Sequence, residues 1–316
     1  MTSGAQVRNG KAFEYALATQ YFSFLKSHGV NTLLVCNNAL DNAERYFNTF
    51  DKATKVRFEK AAFETINTII KIEPGLTSTT GTLEIFLNED NAGEHGDVRD
   101  VVFKRSGWEI GFSAKNNNDA VKHSRLGKDL DFSQSWFGIP CSQEYWHDIK
   151  PIFDYIESQI LKGKKWSDLG NDKLTKVYVP LLNAFRREII RIAQSNKDIP
   201  KKLIQYLIGT KSFYKVIKDD SHNLVIVKAF NIGGKLNHDF KYRKSRYKIP
   251  KVNLPTRIVE FEFKPDSSTT LNMILDNGWE ISFRIHSAST KVERSLKFDI
   301  QLLGNPPILF TQHIFQ

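Results

Sequence analysis

Residues 96–125 constrain the fold of this chain more than any other stretch. The acidic residues Asp97 and Asp100 precede a short apolar run, and after a turn a second run follows at 108–115, where large and small side chains alternate. Because side chains alternate between faces along a strand, this pattern predicts a hairpin. The hairpin brings the carboxylate of Asp100 beside the ammonium of Lys115. A carboxylate and an ammonium so arranged can hold a divalent cation and a phosphate together.

The net charge of the chain limits its partners. With 316 residues, 41% hydrophobic content and a formal charge of +10, the protein is globular and strongly basic. A positive surplus of this size favours a polyanion, in the first place nucleic acid. A membrane surface is disfavoured, because we see no basic amphipathic helix with a long apolar face. A basic but otherwise ordinary enzyme is the alternative.

The N-terminal residues and the cysteines indicate the compartment. No run approaches the ~18 apolar residues that cross a bilayer, and the N-terminus has no apolar signal core. The two cysteines, Cys36 and Cys141, fit a reducing environment without a disulfide framework or a thiolate zinc site. We therefore expect a cytosolic protein.

Hydrophobic periodicity predicts an α/β protein with a mixed β-sheet flanked by helices and a β-rich C-terminal part. We expect a catalytic core with helical elements in residues 1–230 and a β-rich region that clasps DNA in 231–316, while one compact unit stays an alternative. Helices are predicted at 10–28, within 38–71 with Asp41 as N-cap, from Asn118 or Asp119 through Arg125, at 143–162 and at 180–209. Besides the hairpin, strands are predicted at 82–87 and 224–230 and over much of 256–315, with a hairpin turn at Asp276–Gly278.

Hydrolysis of a phosphodiester requires neutralisation of the phosphate, activation of a water and stabilisation of the leaving oxygen. Asp100 is the first candidate for a metal ligand, because it directly precedes the first strand of the hairpin. Asp97 is the second candidate. The backbone carbonyl of Ala114 can complete the metal shell, and Lys115 can position water and phosphate. The alternative is a plain surface salt bridge between Asp100 and Lys115.

This arrangement resembles the PD-(D/E)xK nuclease motif, with one departure. The position two before the lysine, normally acidic, is Ser113. Some restriction enzymes of this superfamily also have Ser-x-Lys there and take the second carboxylate from further along the chain, where this sequence has Asp129, close to Asp131. Other members use a glutamate on the first helix, for which Glu14 is the match. The resemblance leaves both routes open.

The sequences of longer segments resemble the HaeIII family of type II restriction endonucleases, and the resemblance covers almost the whole chain. The segments are GDVRDVVF, IGFSAKNNNDAVKHSRL, VPLLNAFRR and LDNGWEISFRIHSASTKVERSLKFDIQL. The resemblance implies Mg²⁺-dependent cleavage of double-stranded DNA within GGCC. It also implies a cognate DNA methyltransferase as functional partner in a restriction-modification system.

Four of the residues that follow Lys115 in the sequence are candidate DNA contacts. They are Asn116, Asn117, His123 and Arg125. In a nuclease they would flank the scissile phosphate, with the histidine and the arginine touching backbone oxygens. The alternative is an ordinary loop with a packed histidine.

The densest basic stretch, residues 235–251, carries further candidates. Lysines and arginines alternate there with aromatic residues, as in Lys241, Arg243, Lys244 and Arg246. Phosphate contacts from such a stretch supply affinity, whereas arginines that donate to guanine supply sequence choice. Arg243 and Arg246 are the first candidates for reading bases, and Arg284 and Lys291 are alternatives. The sequence of this stretch is equally compatible with a solvated basic loop that contacts no base.

Two other functions stay open at this stage. A DNA-binding protein without catalysis agrees with Ser113 at the acidic position, and a junction resolvase or repair nuclease agrees with the rest of the motif. A palindromic target favours a two-fold homodimer. A monomer that nicks each strand in turn is the alternative.

Overall fold

The computed structural model describes residues 3–89, 96–117, 120–240, 244–245 and 247–315, apart from the side chains of Ser3, Ala120, Lys122 and His123. The chain forms two compact units. The first consists of Met1–Asp119, Gly209–Val252 and Ile308–Gln316, and the second of Ala120–Ile208 and Asn253–Pro307. This division differs from the one expected at residue 230, because each unit combines segments that are distant in sequence.

Seven α-helices occur in the described residues. They are α1 (Ser3–Ser27), α2 (Asn38–Asn48), α3 (Lys52–Ile69), α4 (Phe132–Phe137), α5 (Gln143–Leu161), α6 (Val179–Ser195) and α7 (Ile199–Ile208). None of these helices has the length and apolar composition needed to cross a membrane.

Twelve β-strands are present in the same residues. They are β1 (Thr32–Leu34), β2 (Leu83–Leu87), β3 (Val101–Arg105), β4 (Trp108–Asn116), β5 (Ala120–Gly127), β6 (Phe213–Asp219), β7 (Leu224–Phe230), β8 (Ile258–Phe263), β9 (Thr270–Leu275), β10 (Glu280–His286), β11 (Ser295–Gly304) and β12 (Phe310–Phe315). The first unit holds a mixed seven-stranded sheet of order β1-β2-β3-β4-β6-β7-β12, and the second a five-stranded sheet of order β5-β11-β10-β9-β8.

In the first unit, the long helix α1 covers one face of the sheet. Its buried stripe includes Phe13, Leu17 and Tyr21, which recur at helical spacing. The ring of Tyr21 lies 4.9 Å from that of Phe103 on β3 and 5.2 Å from that of Phe112 on β4. This packing fixes α1 against the β3–β4 hairpin.

The second unit has its own aromatic core. Phe185 on α6 contacts the rings of Phe132, Phe261, Phe283 and Phe298 at centroid distances of 4.9 to 6.0 Å. These contacts join α4 and α6 to strands β8, β10 and β11. The core of this unit therefore lies between helices and an antiparallel sheet.

The α/β class, the flanked mixed sheet and the β-rich C-terminal part are confirmed. The helix predicted through Arg125 is wrong, because residues 120–127 form strand β5, paired with β11. The helix predicted at 180–209 is two helices separated near Asn196. Asp41 lies in the first turn of α2, whereas the N-cap is Asn37, whose side chain accepts a hydrogen bond from the Leu40 N–H.

Candidate active site

The hairpin β3–β4 brings Asp100 and Lys115 together at its open end. Val101 pairs with Phe112, which places the residue before β3 near the last residues of β4. Oδ2 of Asp100 accepts a 2.7 Å hydrogen bond from the Ala114 N–H and lies 3.5 Å from Nζ of Lys115. The side chains of Asp100 and Lys115 are 24% and 30% exposed. They are therefore held in place and still reachable by a substrate.

The carboxylate of Glu14, on α1, belongs to the same cluster. Only 6% of this residue is exposed, and its Oε2 lies 3.1 Å from Nζ of Lys11. Burial raises the pKa of Glu14 to about 7, the negative charge of Asp100 adds to the rise, and the ammonium groups of Lys11 and Lys115 oppose it. The fold thus brings Glu14, one of the two sources considered for a second carboxylate, near Asp100.

The donor set fits a divalent cation. The negative charge of Asp100 disfavours the ionised form of the buried Glu14 and so raises its pKa. A bound cation removes this repulsion, and Mg²⁺ commonly uses one or two protein carboxylates together with substrate oxygens and waters. Over the described residues no group of three or more His, Cys, Asp or Glu side chains gathers as a metal cage. The site therefore suits a cation shared with a phosphate substrate.

Asp97 lies in a separate ion-pair network. Its two oxygens each accept a 2.7 Å hydrogen bond from the guanidinium of Arg99, and Nζ of Lys211 lies 3.2 Å away. Burial raises the pKa of Asp97, but the hydrogen bonds and charge of Arg99 outweigh this effect and lower it overall. Because both oxygens are engaged, Asp97 holds the chain that leads into β3.

Gly111 explains part of the alternation of large and small residues in β4. A Cβ atom at this position would lie 2.4 Å from Cδ of Arg99. The side chain of Arg99 thus crosses the strand where a side chain is missing, and its Nη1 reaches Glu109 at 3.2 Å. The glycine at position 111 leaves the space that the side chain of Arg99 needs to cross β4.

Asn116 and Asn117 make intramolecular contacts at the end of β4. The side chain of Asn117 donates to Oδ2 of Asp220 at 2.8 Å and accepts from the Asp220 N–H at 2.7 Å. Oδ1 of Asn116 accepts from Nζ of Lys218 at 3.4 Å. Asn117 has a φ of 54°, a left-handed conformation that asparagine tolerates better than most residues. These contacts tie the strand that carries Lys115 to the β6–β7 turn.

Several predicted site residues belong to the second unit. Asp129 is exposed in the turn after β5, and Arg125 donates to Oγ of Ser295 at 2.7 Å and lies 2.9 Å from Glu293. Arg284 pairs in register with Asp299, and Lys291 forms an isolated bridge with Lys165. His123 lies on β5, and its side chain is outside the described residues.

Much of the basic segment also lies outside the described residues, namely Lys241, Arg243 and Arg246. Lys244 is described and is exposed. The segment is anchored at Asn237, whose N–H donates to Oε1 of the buried Glu73 at 2.7 Å and whose Oδ1 accepts from the Ile249 N–H at 3.0 Å. The anchor holds the described part of this cationic segment on the first unit.

The sequence patterns did not indicate a role for Lys11, Arg99 or Glu73. Lys11 and Glu14 are three residues apart on a helix, and this spacing was the sequence signal for Lys11. The glycine at 111 is an indirect signal for Arg99. Glu73 gives no local signal, because its partners Tyr214 and Asn237 are more than a hundred residues away in the chain.

Comparisons with known proteins identify a family and a relative of this chain. The family model described as HaeIII restriction endonuclease matches residues 10–306. The protein named type II restriction enzyme HaeIII, from Haemophilus aegyptius, is 40% identical over 301 residues, which cover 94% of each chain. No solved structure shows a significant match.

Proposed function

Because this chain belongs to the HaeIII restriction endonuclease family, we propose that it cleaves double-stranded DNA at GGCC with Mg²⁺ as its cofactor. The chain is a type II restriction endonuclease, that is, a site-specific deoxyribonuclease whose partner is double-stranded DNA. Enzymes of this class generally use a divalent metal. The target GGCC is inferred from the likeness to HaeIII, and the choice of Mg²⁺ from the carboxylate donors and the phosphate substrate.

The observation that carries the catalytic assignment is the cluster of Asp100, Glu14 and Lys115. Asp100 and Glu14 would hold the divalent cation, with the carbonyl of Ala114 as a further ligand. A cation bound there supplies neutralisation of the charge that develops on the phosphate and the leaving oxygen.

The chain's own groups position the reactants. The Ala114 N–H fixes one oxygen of Asp100, so this carboxylate keeps its direction while the substrate enters. The ammonium of Lys115 stands beside it and can bind a non-bridging phosphate oxygen and orient the attacking water. Because Glu14 lies on the buried side of α1, its carboxylate is shielded from bulk water.

DNA is held through cationic groups. We assign phosphate contacts to Lys244, to its neighbours Lys241, Arg243 and Arg246, and to Arg125 and His123 of the second unit. The two arginines of the basic segment are our first candidates for reading guanine, because an arginine fork matches guanine O6 and N7. We assign Asn116 and Asn117 a positioning role at the end of β4.

The target sequence also bears on assembly. A two-fold symmetric site favours a homodimer.

A methyltransferase that protects the same sequence is the expected functional partner. The cysteines Cys36 and Cys141 form no disulfide, which agrees with a cytosolic location.

One experiment tests the proposed activity. Supercoiled plasmid with known GGCC sites is incubated with the protein and Mg²⁺, with EDTA as control, and the ends of the products are sequenced. We expect discrete fragments with every end inside GGCC. Ends at another sequence would refute the target, cutting of branched DNA alone would indicate a resolvase, and binding without cutting would indicate a passive DNA-binding protein.

A further inference from the structure

The second unit contains a short β-ribbon outside its five-stranded sheet. Residues 164–166 run antiparallel to residues 290–292, and we call these two segments the lysine ribbon. Lys165 lies directly opposite Lys291. Two backbone hydrogen bonds, of 3.1 and 3.2 Å, join the residues that precede and follow this pair on the two strands. The two lysines therefore form a non-hydrogen-bonded pair of the antiparallel type.

This kind of pair brings side chains closer together than any other in an antiparallel ribbon. Its Cα atoms are typically about 4.5 Å apart, compared with about 5.5 Å in a hydrogen-bonded pair. Two like charges placed directly opposite each other destabilise a β-ladder. The register of the lysine ribbon thus holds two ammonium groups side by side against their mutual repulsion.

The inner face of the lysine ribbon is anchored in the second unit. Because side chains alternate between faces, Lys165 and Lys291 lie on one face, whereas Trp166 and Val292 lie on the other. Trp166 is 3% exposed and Val292 7%, and both lysines are exposed. Nζ of Lys173 lies 5.6 Å from the centroid of the Trp166 ring and adds a third cation beside the anchor. The paired lysines are therefore presented to solvent from a fixed backbone.

No carboxylate neutralises the paired lysines. In the part of the chain that the structure describes, neither Lys165 nor Lys291 forms an ion pair. The carboxylates that are close in sequence have other partners, namely the Lys165 N–H at 2.8 Å for Asp168, Lys176 at 2.8 Å for Asp172 and Arg125 at 2.9 Å for Glu293. Lys162 and Lys164, which are also exposed, increase the positive charge. The lysine ribbon is thus a cationic surface without an internal counter-charge.

The chemistry of this surface selects its partner. Ammonium groups are compact point charges that bind phosphate without a preferred geometry, so they supply affinity and not sequence choice. Duplex DNA carries one negative charge per ~1.7 Å of its axis and can neutralise several clustered lysines at once. We propose that the lysine ribbon binds the phosphate backbone of duplex DNA. This inference rests on the proposed function, and it adds a contact surface on the second unit that reads no bases.

The salt dependence of DNA binding tests the proposal. Affinity is measured at several salt concentrations for a duplex with GGCC and for one of equal length without it, in EDTA so that neither is cut. The double variant Lys165→Ala/Lys291→Ala removes the paired charges. Lys52→Ala/Lys60→Ala removes two exposed lysines of α3 and is the matched control.

We expect the slope of log affinity against log salt to decrease by about two units in the ribbon variant, because two phosphate contacts are lost. At about 0.15 M salt the affinity should fall about 10- to 30-fold on both duplexes alike. The control should keep the wild-type slope. An unchanged slope in the ribbon variant would overturn the proposal, and so would a loss confined to the GGCC duplex, since that would indicate base reading.

A charge reversal separates DNA binding from a purely structural role. Lys291→Glu replaces the repulsion with Lys165 by an attraction, so we expect a higher urea midpoint of unfolding together with weaker DNA binding. A lower midpoint together with weaker binding would assign the lysine ribbon to the fold and contradict the proposal.

Plasmid cleavage by the wild-type protein with Mg²⁺ is measured in parallel. Cleavage at GGCC combined with an unchanged slope in the ribbon variant would refute only the DNA contact of the lysine ribbon. A decreased slope in a protein that never cleaves would refute only the nuclease assignment.

Discussion

The ammonium of Lys115 and the carboxylate of Asp100 approach within 3.5 Å across the open end of one hairpin. The oxygen nearest the lysine also accepts the Ala114 N–H. Within the described part of the chain, no hydrogen bond engages the other oxygen, Oδ1. The backbone therefore holds one oxygen of this carboxylate while the second stays available to a cation.

The source of the second carboxylate can be tested by a matched pair of variants. Glu14→Gln removes a charge next to Asp100 while keeping its shape, so we expect a loss of at least about 100-fold in the single-turnover cleavage rate. Asp129→Asn should change this rate less than about threefold, because this exposed side chain lies in the other unit. The opposite ranking would assign the role to Asp129.

Asn117→Gly distinguishes a positioning role from a DNA contact. Glycine keeps the left-handed backbone but loses both bonds to Asp220, so we expect a lower free energy of unfolding, by about 1–2 kcal/mol, with unchanged affinity for DNA. Lys244→Ala is the comparison and should reduce the salt dependence of binding by about one unit of slope. A loss of affinity in Asn117→Gly with unchanged stability would restore the direct contact.

Gly111→Ala tests the crossing of Arg99 over β4. The added methyl would overlap the side chain of Arg99, so we expect a loss of about 1–3 kcal/mol in the free energy of unfolding. Gly10→Ala on α1 is the control, since nothing lies within 4 Å of the added atom there, and it should stabilise by about 0.5–1 kcal/mol. Equal effects in urea denaturation would show that Arg99 is free to move.

Glu73 predicts a dependence of stability on pH. Burial raises its pKa to about 7 against the hydrogen bonds from Tyr214 and Asn237, whereas its ordinary value is 4.5. The folded state therefore binds the proton more tightly. This stabilising contribution is complete below pH 4.5 and is lost as the pH rises to about 7, a change of roughly 3 kcal/mol.

Glu73→Gln should remove this contribution. Urea denaturation at pH 5 and pH 8 should give a difference in unfolding free energy that is smaller in the variant than in the wild type. The same difference in both proteins would mean that Glu73 does not titrate in this range.

The hairpin was predictable because its pattern is local. Alternation in residues 108–115 and the acidic residue before β3 defined both strands and the pairing of Asp100 with Lys115. The first helix was predictable for the same reason, since Phe13 and Leu17 mark a buried stripe.

Strand β5 was not predictable from local signals. Its residues, AVKHSRLG, contain a polar middle, and their strand conformation depends on pairing with β11, which lies some 170 residues later. The division into two units was not visible in the sequence for a related reason, because Gly209–Val252 and Ile308–Gln316 return to the sheet of the first unit. Buried ionic groups such as Arg105 and Glu73 are likewise defined by distant partners.

The role of Lys115 is tested most directly by cleavage of a GGCC duplex by Lys115→Ala under single-turnover conditions with saturating Mg²⁺, with binding measured on the same duplex. Lys60→Ala serves as the control for loss of a lysine. We expect a fall of at least about 1,000-fold in the cleavage rate, with DNA affinity within about threefold of the wild type. A Lys115→Ala protein that cuts at the wild-type rate would remove the hairpin from the mechanism.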